Sequence, residues 1–148
     1  MIIREIEHLS EDYRRAVELR RIVLRFPLGM DYTEEQLQSE NDSVHFLLEV
    51  DGEVLGSAMY TPYDETTIKV RQVAVHPDHR GKGLGAKLML AVEWKAASKG
   101  FTKSVLHARQ VAVAFYERIG YECFDEPFEE VGIPHRKMRK DLLFSSAG

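Results

Sequence analysis

Apolar and polar residues alternate with a period of two in several stretches of the chain, and these are separated by stretches with helical spacing. MIIREIEHL (residues 1–9) alternates loosely and predicts a first strand. Ser10 then stands as a helix N-cap, with Glu11 and Asp12 in the first turn. Ala16, Leu19, Val23 and Phe26 fall on one helical face, which stops at Pro27. After the loop PLGMDYT, the segment TEEQLQSE predicts a short second helix capped by Thr33. VHFLLEV and EVLGSAMYT flank Asp51-Gly52, a favoured hairpin turn between β-rich runs. TTIKVRQVAVH is a long strand ended by Pro77, and TKSVLHA (residues 102–108) is another. Between them Leu84, Leu88, Ala91 and Val92 form a helical stripe that closes near Gly100. QVAVAFYERI is a helix ended by Gly120, and YECF and HRKMRKDL are final strands around a polar loop. The order β-α-α-β-β-β-α-β-α-β-β predicts an α/β (α+β) fold, a mixed sheet carrying helices on its faces.

Composition narrows the function classes. The 148 residues suit one domain, expected to span 1–148, with 44% hydrophobic and 30% charged residues. A formal net charge of -4 with no basic tail argues against sequence-independent nucleic-acid binding, which needs many phosphate contacts. No apolar run approaches the ~20 residues of a membrane helix. Acidic residues interrupt the N-terminal stretch before any signal-peptide core, so a cytoplasmic location is expected. The single cysteine, Cys123, excludes an internal disulfide and a cysteine-rich zinc site. No histidine pair has H-x-x-x-H spacing, so no metal site is expected.

Candidate chemistry begins at HPDHRGKGLG (residues 76–85), directly before a helical stripe. Glycines permit positive φ and leave room for successive N–H groups to point into one concavity. The helix adds its positive N-terminal end, and Arg80 and Lys82 add charge. These features suit a phosphate or pyrophosphate cradle at a strand-to-helix junction; a tight turn in which glycine merely fits is the plainer alternative. No Ser or Thr follows Lys82, as G-x-x-x-x-G-K-[ST] requires, and the spacing G-x-G-x-G is not the dinucleotide G-x-G-x-x-G.

R-x-x-G-x-G, formed by Arg80, Gly83 and Gly85 after the strand VRQVAVHP, resembles motif A of the GNAT superfamily of N-acetyltransferases. ARQVAVAFYERIGYE is similar to that superfamily's motif B, with Ala112, Phe115-Tyr116 and Gly120-Tyr121 in register. The tail GIPHRKM resembles a small stand-alone branch called ElaA-like. The resemblance implies a strongly bent mixed sheet with helices on both faces, its two neighbouring central strands splayed apart near Val75 and His107. It implies acetyl transfer from acetyl-CoA to a primary amine, with a small-molecule or peptide acceptor. Val73, Ala74 and Val75 would present backbone to the pantetheine arm. Backbone N–H groups of Arg80, Gly81, Lys82, Gly83, Leu84, Gly85 and Ala86 would hold the pyrophosphate, with Ala112 and Phe115 beside the cofactor. Tyr116 matches the general acid of the leaving sulfur; a core aromatic is its alternative. Dimers are common in the superfamily, which leaves a homodimer open, although the sequence carries no interface signature of its own. A non-catalytic acyl-CoA sensor on the same scaffold is the rival of a different class.

Two positions depart from the pattern. Arg109 stands where many members carry an asparagine, and a guanidinium accepts no hydrogen bond, so contact with cofactor phosphate or with solvent remains open. The strand TTIKVRQ lacks a carboxylate for the base. His45, His107 and His135 are candidates because histidine titrates near neutral pH. His107 ends a strand just ahead of motif B, where the acceptor site would open. A water chain to bulk is the alternative. The cluster Arg20, Arg21 and Arg25 suggests recognition of an acceptor carboxylate, whereas the acidic loop DEPFEE suggests a cationic amine; the sequence does not choose between them.

Overall fold

The computed structural model describes residues 1–142. Seven strands form one sheet in the order β1-β2-β3-β4-β5-β7-β6. They are β1 (Ile2–Ile6), β2 (Val44–Val50), β3 (Glu53–Pro62), β4 (Thr67–Val75), β5 (Lys103–Arg109), β6 (Glu122–Glu130) and β7 (Ile133–Asp141). Only β4 and β5 pair in parallel among these neighbours, so the sheet is mixed. A parallel pair needs a crossover, and helix α3 (Leu84–Ser98) provides it. The element order matches the one read from the sequence.

Helices lie on both faces. Helix α1 (Glu11–Arg20) packs Tyr13, Ala16 and Val17 on Leu47 of β2, joined by Leu37 of α2 (Glu34–Gln38). The larger core lies on the other face, where Leu84, Leu88, Met89, Val92 and Ala96 of α3 meet Phe46, Leu48, Tyr60, Ile68, Val70 and Leu106. Helix α4 (Val113–Arg118) closes that side through Tyr116. Local signals explain several boundaries. Ser10 accepts the Tyr13 N–H at 3.2 Å, and Thr33 and Gln36 form a capping box. Asp51 and Gly52 both have positive φ, as a tight hairpin turn needs.

Two expectations needed correction. The α1 stripe does not reach Phe26, which is 50% exposed, because the chain widens to a π-helical turn over Arg21–Arg25 and the 3.6-residue period is lost. The acidic loop DEPFEE belongs to strand β6. It pairs with β7 through a register slip between Phe124 and Phe128, and Asp125 at φ 58 marks the bulge. Pro127 is tolerated because β6 is the outermost strand.

Candidate active site

The site begins where the two parallel strands part. Strands β4 and β5 pair from Thr67↔Lys103 to Val70↔Leu106 and no further, although β4 runs on to Val75 and β5 to Arg109. The cause lies on the other side of β4. Its register with β3 slips between Ser57 and Met59, which inserts one extra β4 residue, and Gln72 sits there at φ 55. Such a bulge bends its strand away from the regular ladder. Tyr32 helps to hold it by donating its hydroxyl proton to Gln72 Oε1 at 2.6 Å. The gap opens into a cavity of about 560 Å³ whose walls include Val73, Leu106, His107, Arg109, Ala112 and Tyr116.

Just past the end of β4 lies the glycine segment. Gly81 and Gly83 have φ of 80° and 76°, in the left-handed region that favours glycine, and nothing lies within 4 Å of where a Cβ would project. Gly83 caps α3, and Lys87 N–H bonds back to the Gly83 carbonyl. The preceding N–H groups of the first turn have no intrahelical partner and carry the positive end of the helix. An open turn with first-turn N–H donors ahead of a 15-residue helix has the kind of donors that an anion such as a pyrophosphate requires. Lys82 Nζ lies 3.2 Å from His79 Nδ1 at the rim. Gly85 has a different reason to be glycine. A Cβ there would lie 3.1 Å from Phe115 Cζ and 3.6 Å from Val75 Cγ2. The bare α-carbon lets the first turn of α3 close on α4 and β4, which joins the two sequence motifs physically.

Tyr116 hangs from α4 into the cavity wall, 8% exposed, with its ring edge-on to Phe115 and Tyr121. Burial pushes its phenol up to about 12, and among the described residues no charge or hydrogen-bond partner opposes the shift. The hydroxyl therefore keeps its proton at neutral pH. Its neighbour Tyr121 has a different setting, bonded to Ser104 at 2.7 Å and to Glu93 at 2.9 Å inside the core.

Opposite lies a small ionic group. Arg109↔His135 across β5–β7 and Phe128↔His135 across β6–β7 put these side chains on one face with His107. His107 Nδ1–H donates to Glu130 Oε1 at 2.9 Å, and His135 Nε2 lies 3.6 Å from Glu130 Oε2. His135 Nδ1–H donates to the Ile133 carbonyl at 2.9 Å. The Phe128 ring packs against both imidazoles. Burial by itself would raise the Glu130 carboxyl. The His107 hydrogen bond and the charges of His107, His135 and Lys69 outweigh it and hold the group below the ordinary glutamate range.

The structure brings Tyr116, His107 and His135 to one cavity, with Val73 and Ala112 in its wall. It does not bring Arg20 or His45 there. Arg20 is 3% exposed, and its two terminal nitrogens donate to the Glu40 carboxylate at 2.8 and 2.7 Å. His45 Nε2–H donates to the Glu40 carbonyl at 3.0 Å. Both belong to the core under α1. Tyr13, Val17 and Arg20 follow helical spacing, so Arg20 lies on the buried face. Arg109 donates to the Leu24 carbonyl at 3.2 Å, tying the end of β5 to the π-helical turn. Sequence reasoning missed Lys69, Gln72, Leu24 and the particular role of Glu130. A period-two reading of KVR pairs Lys69 with Arg71 on one face and could have found the first.

The comparisons with known proteins agree with this geometry. Residues 5–121 match the model of the acetyltransferase (GNAT) family, which covers most of the chain. The chain belongs to the GNAT family and is an acyltransferase, of the N-acetyltransferase type. It is 36% identical over 109 residues, 73% of this chain and 77% of the other, to the uncharacterized N-acetyltransferase YjcF of Bacillus subtilis strain 168. The fold superposes on Escherichia coli ElaA with a TM-score of 0.80 at 22% identity, covering 94% of this chain and 98% of that one. It also superposes on a GNAT family acetyltransferase of Elizabethkingia anophelis with acetyl-CoA bound, with a TM-score of 0.73 at 18% identity over 95% and 97% of the two chains. Among the described residues no helix is long and apolar enough to cross a membrane.

Proposed function

We propose that this protein transfers an acetyl group directly from acetyl-CoA to a primary amine, with the parting of β4 and β5 as the cofactor slot. The observation that carries this reading is the continuity of the slot. Unpaired strand edges run from the cavity at Tyr116 and His107 to the open glycine turn at the start of α3. Backbone groups of Val73, Ala74 and Val75 would flank the pantetheine arm, and N–H groups of residues 80–86 would hold the pyrophosphate.

Bound acetyl-CoA supplies a thioester carbon for the amine to attack and a sulfur to depart as thiolate. The protein must hold the two reactants together and move one proton. His107 is suited to take it. Its Nδ1–H is committed to Glu130, so the neutral ring presents Nε2 as an acceptor, and the nearby carboxylate stabilises the imidazolium that forms. Tyr116 is suited to the sulfur. Burial holds its phenol above the ordinary value, so it keeps its proton and is available as a donor. Its contribution is a donated hydrogen bond that stabilises the developing thiolate, and the proton held by His107 neutralises the product.

The test is thermal unfolding with and without acetyl-CoA, for wild type and Gly83→Asp. A ligand at 100 times its Kd adds about 2.7 kcal/mol. For a chain of this size that is a rise on the order of 5 °C or more. The wild type should shift and a folded Gly83→Asp should not, because the aspartate puts negative charge into the cradle. An unshifted wild type would remove the cofactor assignment.

A further inference from the structure

We infer that the acceptor is a small amine that itself carries an anionic group, a carboxylate or a phosphate, held by Arg25, Lys69, Arg71 and Arg109 in the wall of the β4–β5 cavity. The inference rests on the acetyl-transfer reading of that cavity.

The charge balance of the cavity runs against that of the whole chain. The protein has a net charge of -4, yet these four cations line the cavity with Glu130 as the only carboxylate among its lining residues. Among the described residues none of the four has a carboxylate at ion-pair distance. Arg4, Arg14, Arg15, Arg20, Arg21 and Arg139 each do, and the other arginines without one, Arg80, Arg118 and Arg136, do not line this cavity. The arrangement also crowds like charges. Arg25 Nη1 and Arg109 Nη2 both donate to the carbonyl of Leu24, at 3.4 and 3.2 Å, so two guanidinium groups converge on one backbone oxygen. Lys69 and Arg71 are two apart on β4 and share a face of the strand. Burial, reinforced by the charge of Arg71, pushes the Lys69 ammonium down from its ordinary value. Cations placed close together in a half-enclosed space repel one another, and an anion among them relieves both the repulsion and the desolvation. Two guanidinium forks suit the planar or tetrahedral oxygens of a carboxylate or phosphate.

The cofactor's own phosphates are the competing explanation. The cradle residues 80–86 are absent from the cavity lining, so the four cations form a separate group. Glu130 and His107 supply the complementary part of the same cavity, where the nitrogen gives up a proton as it attacks the thioester. Polyamines and other polycationic acceptors would face net repulsion here.

The experiment is a steady-state acetylation assay on paired amines with and without the anion, compared at equal concentrations of the free base because the anion also changes the basicity of the amine. The pairs are glycine against glycinamide, β-alanine against its amide, and phosphoethanolamine against ethanolamine, the last separating phosphate from carboxylate. The anionic member should be preferred in kcat/KM by roughly tenfold or more, the size of one charge-assisted contact. Lys69→Gln should raise the acceptor KM by about the same factor and leave the acetyl-CoA KM unchanged. Equal or better use of the neutral members would overturn the inference, as would a Lys69→Gln effect confined to the acetyl-CoA KM. If no member is turned over, thermal unfolding of the CoA-saturated protein with the same pairs decides. Stabilisation by the anionic members alone supports the inference, and stabilisation by the neutral members alike, or by none, overturns it. A failure of acetyl-CoA itself to stabilise the protein would instead sink the underlying acetyl-transfer reading.

Discussion

Glu40 and Glu130 each sit between cationic or potentially cationic partners on the same side of the sheet, one under α1 and the other at the end of β6. The register His45↔Met59, Met59↔Arg71 and Lys69↔Val105 carries one face from β2 across to β5. Under α1 the Glu40 carboxylate is fully engaged. Glu40 takes two bonds from Arg20 and one of 2.7 Å from Tyr13, and the two charged side chains are only 3% and 6% exposed. Beyond β5 the arrangement is incomplete. Glu130 is 45% exposed and takes one hydrogen bond from His107, whose Nε2 has no partner among the described residues. A closed network stabilises and specifies the fold, whereas one with an unused acceptor beside a cavity can exchange a proton. Similar residue types thus yield structure in one place and chemistry in the other, according to what surrounds them.

The largest effect should come from opening the closed network. Glu40→Ala leaves Arg20 buried without its counter-charge, and such a loss costs about 3–5 kcal/mol. Glu130→Ala removes a half-exposed partner and should cost less, about 1 kcal/mol. Denaturant unfolding of both variants tests the contrast; equal losses would mean that the β6–β7 cluster is as structural as the one under α1.

Next in size is the catalytic counterpart. His107→Ala should lower kcat by about 100-fold, within the usual range for a lost general base, while stability and acetyl-CoA stabilisation stay near wild type. Glu130→Gln keeps an acceptor for the imidazole N–H but loses the charge, so its deficit should be smaller, about tenfold. A His107→Ala enzyme with wild-type kcat would hand the proton to a water chain and leave the β5–β7 cluster with no part in the reaction.

What the sequence disclosed depended on how local the cause was. The Asp51-Gly52 turn, the Ser10 and Thr33 caps and the positive-φ Gly81 and Gly83 act locally, and all were visible in short stretches. So was the period-two patterning that fixed the strand order of events along the chain. Arg20 and His45 were ambiguous because their fate depends on Glu40, contributed by a separate segment. The bulge at Gln72 was hidden because nothing in VRQVAV announces an extra residue; it is set by the register with β3 and by the Tyr32 hydroxyl. Glu130 looked like one of several acids in DEPFEE until the β6–β7 pairing aimed it at His107. Site chemistry here is assembled across strands, where a linear pattern has no reach.

The smallest effect separates the two clusters by pH. Burial, aided by the charges of Arg20 and His8, outweighs the pull of Glu40 and keeps His45 below its ordinary value of 6.5. Between that depressed value and 6.5 the unfolded chain binds a proton at this position and the folded chain does not. Stability should therefore start to fall as pH drops through 6.5 and stop falling, on this account, below the folded value. Glu40 and Glu130 are both held below 4.5, so their share of stability is intact above that pH and is lost only at lower pH. Melting temperatures followed from pH 7 to pH 5 should decline less steeply in His45→Gln than in wild type, whatever the absolute stability of the variant. If His45→Gln declines as wild type does, the acid sensitivity in this window arises elsewhere, and the network under α1 contributes to stability without contributing to its pH dependence.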